Sequence, residues 1–367
     1  WPQSIKNKCF FLMNNAFCTL KRNYLEGKIV INIIPTLSVM DTYDDYNTMI
    51  KNYIKSNSNL FRCNTTRFDN NTYIKSIHTL QEIYYTYMGE YFNLLLDIPC
   101  PQEKIRIQYK SKQNEIKIEK NQKIIITNDK NKLDNGMIFA NIPISSVMIG
   151  ERVILGDGDL LLRVDSKSKS FITCTSLNGG KIGIGKALYT ESFFCNKSCD
   201  AIVNSSIKLI EKLKPSHIAL SFVENVEDIV DFKSKIRKIP DYSPIIISKI
   251  ETKKAVDNIS ELINETPNIM IARGDLALSA GYEWLYKCQN EIIKKCNLLI
   301  SNEKIFIASE IMNSLVDSVM PKRSEVCDLS NIIEKGIRNI ILSGPLCRYD
   351  NYNIAANYIN QIYKIYS

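Results

Sequence analysis

"PIIISKIE" (244–251) and "NIMIARGD" (268–275) follow one pattern: an apolar core closed at once by charge. In the first, three isoleucines and a serine lead to Lys249, and Glu251 stands two places later. In the second, Ile269–Ala272 runs into Arg273, Gly274 and Asp275. Buried parallel strands read as near-continuous apolar runs, and in barrels their C-terminal ends carry the reactive groups. Taken singly, either run is equally a strand that ends at the surface with solvated charges.

Six further runs have the same form: "KIVINII" (28–34), "NLFRCN" (59–64), "FNLLLD" (92–97), "HIALSF" (217–222), "KIFIASE" (304–310) and "NIILSG" (339–344). Stretches of helical period lie between most of them, such as "VEDIVDFKSKI" (226–236) and "SEVCDLSNIIEKG" (324–336), with Gly336 at a helix C-cap position. Eightfold strand–helix alternation predicts an α/β fold of (β/α)8 TIM-barrel type. The strand ends carry Arg62 and Asn64, Asp97, Ser221, Lys249 and Glu251, Arg273 and Asp275, Ser309 and Glu310, and Ser343. Solvation alone is a poor explanation for so many polar ends on one rim.

About 120 residues separate the third run from the fourth, too many for one crossover. They change character. "KIRIQYK", "EIKIEK", "QKIIIT" and "SFITCTSL" alternate with period two, and "NDKNKLDNG" and "GDGD" read as turns. The expected organisation is a first barrel part over 1–107, a small inserted β domain over 108–192 acting as a lid, and a second barrel part over 193–367.

Composition narrows the chemistry. The 367 residues suit one barrel with an insertion, and 45% hydrophobic residues can fill a large core. A net charge of +8 is mild and suits anionic small molecules; arginine-rich runs with stacked aromatics are absent, so no nucleic-acid partner is expected. No apolar run reaches membrane-spanning length, so no membrane partner is expected either. Two histidines, His78 and His217, make a histidine triad or multi-histidine metal site improbable. Eleven irregularly spaced cysteines, with Cys195 and Cys199 as a lone C-x3-C, read as thiols in a reducing compartment. The start at Trp1 suggests a processed N-terminus, and the basic segment 1–25 is either a remnant of organellar targeting or a basic first helix. Localisation is therefore expected to be cytoplasmic or organellar, in plastid or mitochondrion. Glu251 and Asp275 on neighbouring strands suit a hard divalent cation, Mg2+ or Mn2+, with positions left for substrate oxygens. A lysine beside that cation can stabilise a phosphoryl group in transfer.

These residues resemble a known family. "IIISKIETKKAVDNISELINETPNIMIARGDLAL" resembles the strand-five to strand-six segment of pyruvate kinases, and "MPKRSEVCDLSNIIEKGIRNIILSG" their strand-seven to strand-eight segment. "FRCNTTRFD" and "LLLDIPCPQEKIRI" are similar to the family's R-x-N-x-S-H-G and DTKGP-x-IR motifs; "VILGDGDLLLRV" and "LNGGKIGIGK" resemble its lid. The resemblance implies transfer of phosphoryl between phosphoenolpyruvate and ADP, yielding pyruvate and ATP. Lys249 would stabilise the phosphoryl group, Arg62 would contact it, and Glu251 and Asp275 would bind the metal. The backbone at Arg273, Gly274 and Asp275, with the Ser309 hydroxyl, would hold the pyruvate carboxylate, and Ser309 would also lie near the enolate proton. Asn64, Thr66 and Asp97 would frame a monovalent-cation site for K+. Arg62, Asn64, Arg106, Asp157 and Lys186 would face the nucleotide.

The sequence also departs from the family. Its His-Gly is Arg67-Phe68 here, and Thr-Lys-Gly becomes Ile98-Pro99-Cys100 with two extra residues before Ile105-Arg106. Ala277, Glu310, Pro345 and Glu224 replace the usual Gly, Gln, Glu and Arg. The chain ends one helix after the eighth run, so the family's C-terminal regulatory domain is expected to be missing, and with it part of the usual oligomer contacts; a homo-oligomer is left open. In this family, an acid before Ile-Arg accompanies K+ dependence and a lysine independence. Here Glu103 and Lys104 both precede that pair, and the sequence does not say which faces the site; weak K+ dependence is expected. Two other functions stay open: a pyruvate kinase-like pseudoenzyme or binding protein, and a metal-dependent oxo-acid lyase using Glu251 and Asp275 without nucleotide.

Overall fold

The computed structural model describes residues 31–38, 40, 42–66, 70–110, 114–192, 195–348 and 350–366. The basic segment 1–25, the start of the run 28–34, and Arg67-Phe68 lie outside the described residues. The chain divides into two compact units: Trp1–Cys63, Lys75–Leu94 and Ile305–Ser367 form one, and Asn64–Ile74 with Leu95–Lys304 the other.

In the first unit, strand Asn339–Leu342 pairs in parallel with Asn32–Pro35 on one side and Ile305–Ala308 on the other. Thr36 extends this arrangement by a parallel bridge to Arg62. All four residues of strand Asn339–Leu342 are buried, as expected of parallel strands covered on both faces. Tyr53, Phe61, Tyr84, Phe92 and Tyr352 form an aromatic core; Tyr53 meets Tyr352 edge-on at 4.6 Å, and Phe61 stacks on Phe92 at 4.4 Å. The Tyr352 hydroxyl is satisfied by Ser58 at 2.7 Å, so the phenol is buried without an orphaned polar atom.

In the second unit, strand Ile245–Ile250 lies in parallel between His217–Ser221 and Ile269–Ala272. His217–Ser221 in turn pairs with Asn93–Lys104. The register there shifts after Leu220: Ile98 opposes Leu220, but Pro101 opposes Ser221. Pro99 and Cys100 are the two residues left over, so the insertion noted in the sequence is absorbed as a bulge at the strand's end. The strand then continues to Lys104, where it pairs antiparallel with Cys195–Lys197.

The residues after Lys104 form a mixed, mostly antiparallel sheet in the order Leu188–Thr190, Arg152–Leu155, Leu160–Lys167, Phe171–Ser176, Lys123–Thr127, Met137–Phe139, Gln108–Tyr109, with Lys123–Thr127 and Met137–Phe139 paired in parallel. Strand Phe171–Ser176 alternates buried residues with exposed or half-buried ones with period two, as its sequence predicts. Ile107, Ile126, Val153, Leu155, Leu162, Cys174 and Leu188 share one core. Gly156 is required in the "GDG" turn: its φ is +71°, and a Cβ there would lie 2.0 Å from the Asp159 carboxylate. No helix among the described residues is long and apolar enough to cross a membrane. All nine cysteines among the described residues are free thiols.

Candidate active site

Strand Ile245–Ile250 carries Lys249 into the interior, not to the surface. Lys249 is 8% exposed, Asp97 2% and Glu251 1%. The Lys249 ammonium lies 3.0 Å from Asp97 Oδ1, 3.0 Å from Glu251 Oε1 and 3.1 Å from Ser221 Oγ. Three oxygens thus meet the three N–H bonds of one ammonium, which is how a buried lysine is kept charged. The second oxygen of Glu251 accepts the backbone N–H of Phe222 at 2.7 Å. Phe222 adopts a φ of +52°, rare for a bulky residue, and this places its N–H opposite the carboxylate.

Asp275 belongs to the same unit. The predicted strand 268–275 ends at Ala272, and Arg273–Ala280 is a helix. Arg273, Gly274 and Asp275 therefore form its first turn, whose N–H groups have no acceptor within the helix, and the Asp275 charge sits at the favourable end of the dipole. Oδ1 of Asp275 accepts from the Tyr189 hydroxyl at 2.9 Å and pairs with Lys104 at 2.7 Å. Lys104 also lies 5.8 Å above the Tyr189 ring. This settles which residue of Glu103-Lys104 turns toward the acids.

The electrostatics follow from burial. Desolvation is the largest influence on Glu251 and raises its pKa; Lys249 lowers it, and Asp275 and Asp97 raise it further. The Tyr189 phenol is likewise pushed far up by burial, then by Asp275, so it remains a donor. Asp97 and Glu251 share the buried Lys249 ammonium, while the half-buried Asp275 takes the Lys104 ammonium. Among the described residues no group of three or more Asp, Glu, His or Cys is arranged to hold a metal unaided. The Glu251 and Asp275 carboxylates fit Mg2+ or Mn2+, which take one or two protein carboxylates and complete their shell with water and substrate oxygens.

The residues expected at a monovalent-cation site engage one another. Asn64 Oδ1 accepts from the backbone N–H and the hydroxyl of Thr66, at 3.1 and 2.8 Å. The intervening Thr65 donates its N–H and its hydroxyl to the Asp97 carbonyl, each at 3.0 Å. The Asp97 carboxylate itself is taken by Lys249. Residues expected near a nucleotide are more exposed. Arg106 donates to the Gly185 carbonyl at 2.8 Å, and Lys186 pairs at 3.5 Å with Asp159. Asp157 is exposed in the "GDG" turn. Glu224, in place of the family's arginine, accepts from the Thr252 hydroxyl at 2.9 Å and pairs with Lys254 at 3.2 Å, so the reversed charge has a partner.

Arg62 and Ser309 lie in the first unit. Arg62 donates to the Thr36 hydroxyl at 2.9 Å. Ser309 follows strand Ile305–Ala308 in a left-handed conformation, φ +76°, with Glu310 and Met312 also at positive φ. Such a run costs about 1–3 kcal/mol per residue and concentrates at functional sites. His217, half-buried beside the Ser216 hydroxyl at 2.9 Å, has its pKa lowered by desolvation and takes no part in the acid cluster. Sequence reasoning missed Tyr189. Its flanking pattern, a buried Leu188 followed by an aromatic in an edge strand, is an ordinary core signal.

Residues 26–354 match the family described as "Pyruvate kinase, barrel domain". Among characterised proteins, the pyruvate kinase of Thermotoga maritima is 30% identical over 324 residues, 86% of this chain and 66% of that protein. That of Thermococcus litoralis is 29% identical over 322 residues, 86% of this chain and 64% of that protein. The chain thus spans about two thirds of the length of the curated relatives it matches. A crystal structure of a pyruvate kinase from Cryptosporidium parvum superposes with a TM-score of 0.78 at 26% identity, covering 91% of this chain and 68% of that one.

Proposed function

This chain belongs to the pyruvate kinase family and has its (β/α)8 barrel fold with a small β domain inserted after the third strand, and from that premise we propose that it moves a phosphoryl group between phosphoenolpyruvate and ADP with a divalent metal. The observation that carries this reading is the Lys249 ammonium buried between Asp97 and Glu251, in the same unit as Asp275. Glu251 and Asp275 would hold the cation. When bound, Mg2+ or Mn2+ supplies the positive charge that polarises phosphoryl oxygens.

The chain's own residues do the remaining work. Lys249 gives up one protein oxygen and turns that N–H toward the transferring group; preorganised charge in a water-poor place is worth more than in solution. Ser221, the neutral partner, is the contact that yields most readily. The first-turn N–H groups of Arg273, Gly274 and Asp275 would receive the substrate carboxylate. Arg106, Asp157 and Lys186 would meet the nucleotide, and residues 108–192 would act as the lid. Arg62, as a phosphoryl contact, and Ser309, as the hydroxyl near the carboxylate and enolate proton, enter on sequence resemblance alone. Asn64, Thr66 and Asp97 are proposed as the monovalent-cation site on the same ground.

The test is a lactate dehydrogenase-coupled assay with phosphoenolpyruvate, ADP, Mg2+ and K+. Turnover that disappears on removing the divalent metal is expected. Phosphoenolpyruvate binding without turnover would replace this proposal with a binding protein of the same fold; metal-dependent turnover of an oxo acid without nucleotide would replace it with a lyase.

A further inference from the structure

Asp275 is held from two other elements: by Lys104 at the end of strand Asn93–Lys104, which also carries Asp97, and by Tyr189 of strand Leu188–Thr190. Its Oδ1 takes both the Tyr189 hydroxyl, at 2.9 Å, and the Lys104 ammonium, at 2.7 Å. Two donors on one oxygen leave the other oxygen, Oδ2, as the one presented elsewhere. The two donors differ in how firmly they are fixed. The Lys104 side chain is 28% exposed, on a long flexible stem. Tyr189 is 1% exposed and has two side-chain torsions.

The position of Tyr189 has a reason in strand geometry. Strand Leu188–Thr190 pairs with Arg152–Leu155, with Tyr189 opposite Ile154. Leu188 enters the core of the inserted domain. Successive side chains of a strand point to opposite faces, so Tyr189 must leave that core. All three residues of the strand are nonetheless buried. Tyr189 thus spends a buried position outside its own domain's core on a hydrogen bond to Asp275.

We propose that Tyr189 is a positioning residue: its hydroxyl fixes the Asp275 carboxylate so that Oδ2 faces the divalent cation, and it thereby ties metal loading to the last strand of the inserted β domain. This rests on the assignment of Glu251 and Asp275 as metal ligands. Groups that orient a ligand typically contribute roughly 10–100-fold to metal affinity.

The test uses the full chain and Mn2+ alone, with free Mn2+ counted by electron paramagnetic resonance. Tyr189→Phe keeps the ring and removes the hydroxyl. Its Mn2+ affinity is expected to fall by about tenfold or more, while metal-free unfolding stays cooperative. In the unaltered protein, Mn2+ is expected to slow hydrogen exchange at Leu188–Thr190, a readout that needs no variant. Asp275→Asn separates the two assignments. If Asp275→Asn loses Mn2+ and Tyr189→Phe binds it as the unaltered chain does, Tyr189 has no positioning role and the metal site stands. If Asp275→Asn binds Mn2+ normally, the metal assignment fails and this inference with it. Exchange at Leu188–Thr190 that ignores Mn2+ overturns the tie to the inserted domain.

Discussion

Lys249 and Lys186 are both lysines beside carboxylates, yet one is buried and the other exposed. Lys249 lies 3.0 Å from two acids, with its side chain 10% exposed and theirs 3% and 2%. Lys186 lies 3.5 Å from Asp159, with side chains 47% and 41% exposed. In water the second pair is screened and worth little. In the interior the first is strongly coupled, and removing one member leaves the others buried without compensation. The difference teaches that a charge at the end of a buried strand is bound into the fold, whereas an exposed pair on the inserted domain contributes little to it.

Lys249→Met should break the comparison most visibly. Asp97 and Glu251 would lose their shared ammonium, and the stability measured by denaturant titration should fall by about 3–5 kcal/mol. Phosphoryl transfer should fall at least about a hundredfold, measured at a temperature where the variant remains folded. A variant as stable and as active as the parent would show that the buried ammonium is only a packed side chain.

Glu251→Gln and Asp275→Asn come next. Each removes one proposed metal ligand, so Mn2+ affinity by calorimetry should fall by more than the roughly 10–100-fold contributed by residues that merely orient ligands. Unchanged affinity in both variants would move the metal elsewhere. A smaller effect is expected from K+. The Lys104 ammonium, 2.7 Å from Asp275, already places a positive charge beside that acid. Adding K+ to an assay free of Na+ and K+ should change the rate little, and a steep rise would rule out that substitution of one charge for another.

The smallest effect sharpens the other half of the comparison. Lys186→Ala breaks an exposed pair, so its stability should stay within about 0.5 kcal/mol of the parent. Its effect should appear in the KM for ADP instead. A large stability loss with unchanged KM would make Lys186 a structural residue and withdraw it from the nucleotide site.

The apolar runs were readable because strand cores and helical stretches obey different periods, and these patterns survive in any tertiary setting. Six of the eight runs, from "NLFRCN" to "NIILSG" but leaving out "KIVINII" and "NIMIARGD", match strands within a few residues, apart from the longer Asn93–Lys104. "NIMIARGD" stops being a strand at Ala272 because helix formation at Arg273 gives Asp275 a place in the first turn, a preference that an apolar-run pattern does not register. Lys249 and Glu251 stood out for their position after an apolar core. Tyr189 did not, because its hydrogen bond joins residues 86 apart in sequence.

The sequence by itself determined the alternation of elements, the inserted β segment, and the acids and lysine at the strand ends, since these are written in local spacing and residue type. Only the tertiary structure decided which charges meet. It turned Lys104 rather than Glu103 toward Asp275, paired Lys186 with Asp159, and seated Lys249 between Asp97 and Glu251. The physical reason is range: strand and helix patterns arise from neighbours along the chain, while a buried charge is set by desolvation and by partners that folding alone brings within hydrogen-bond distance.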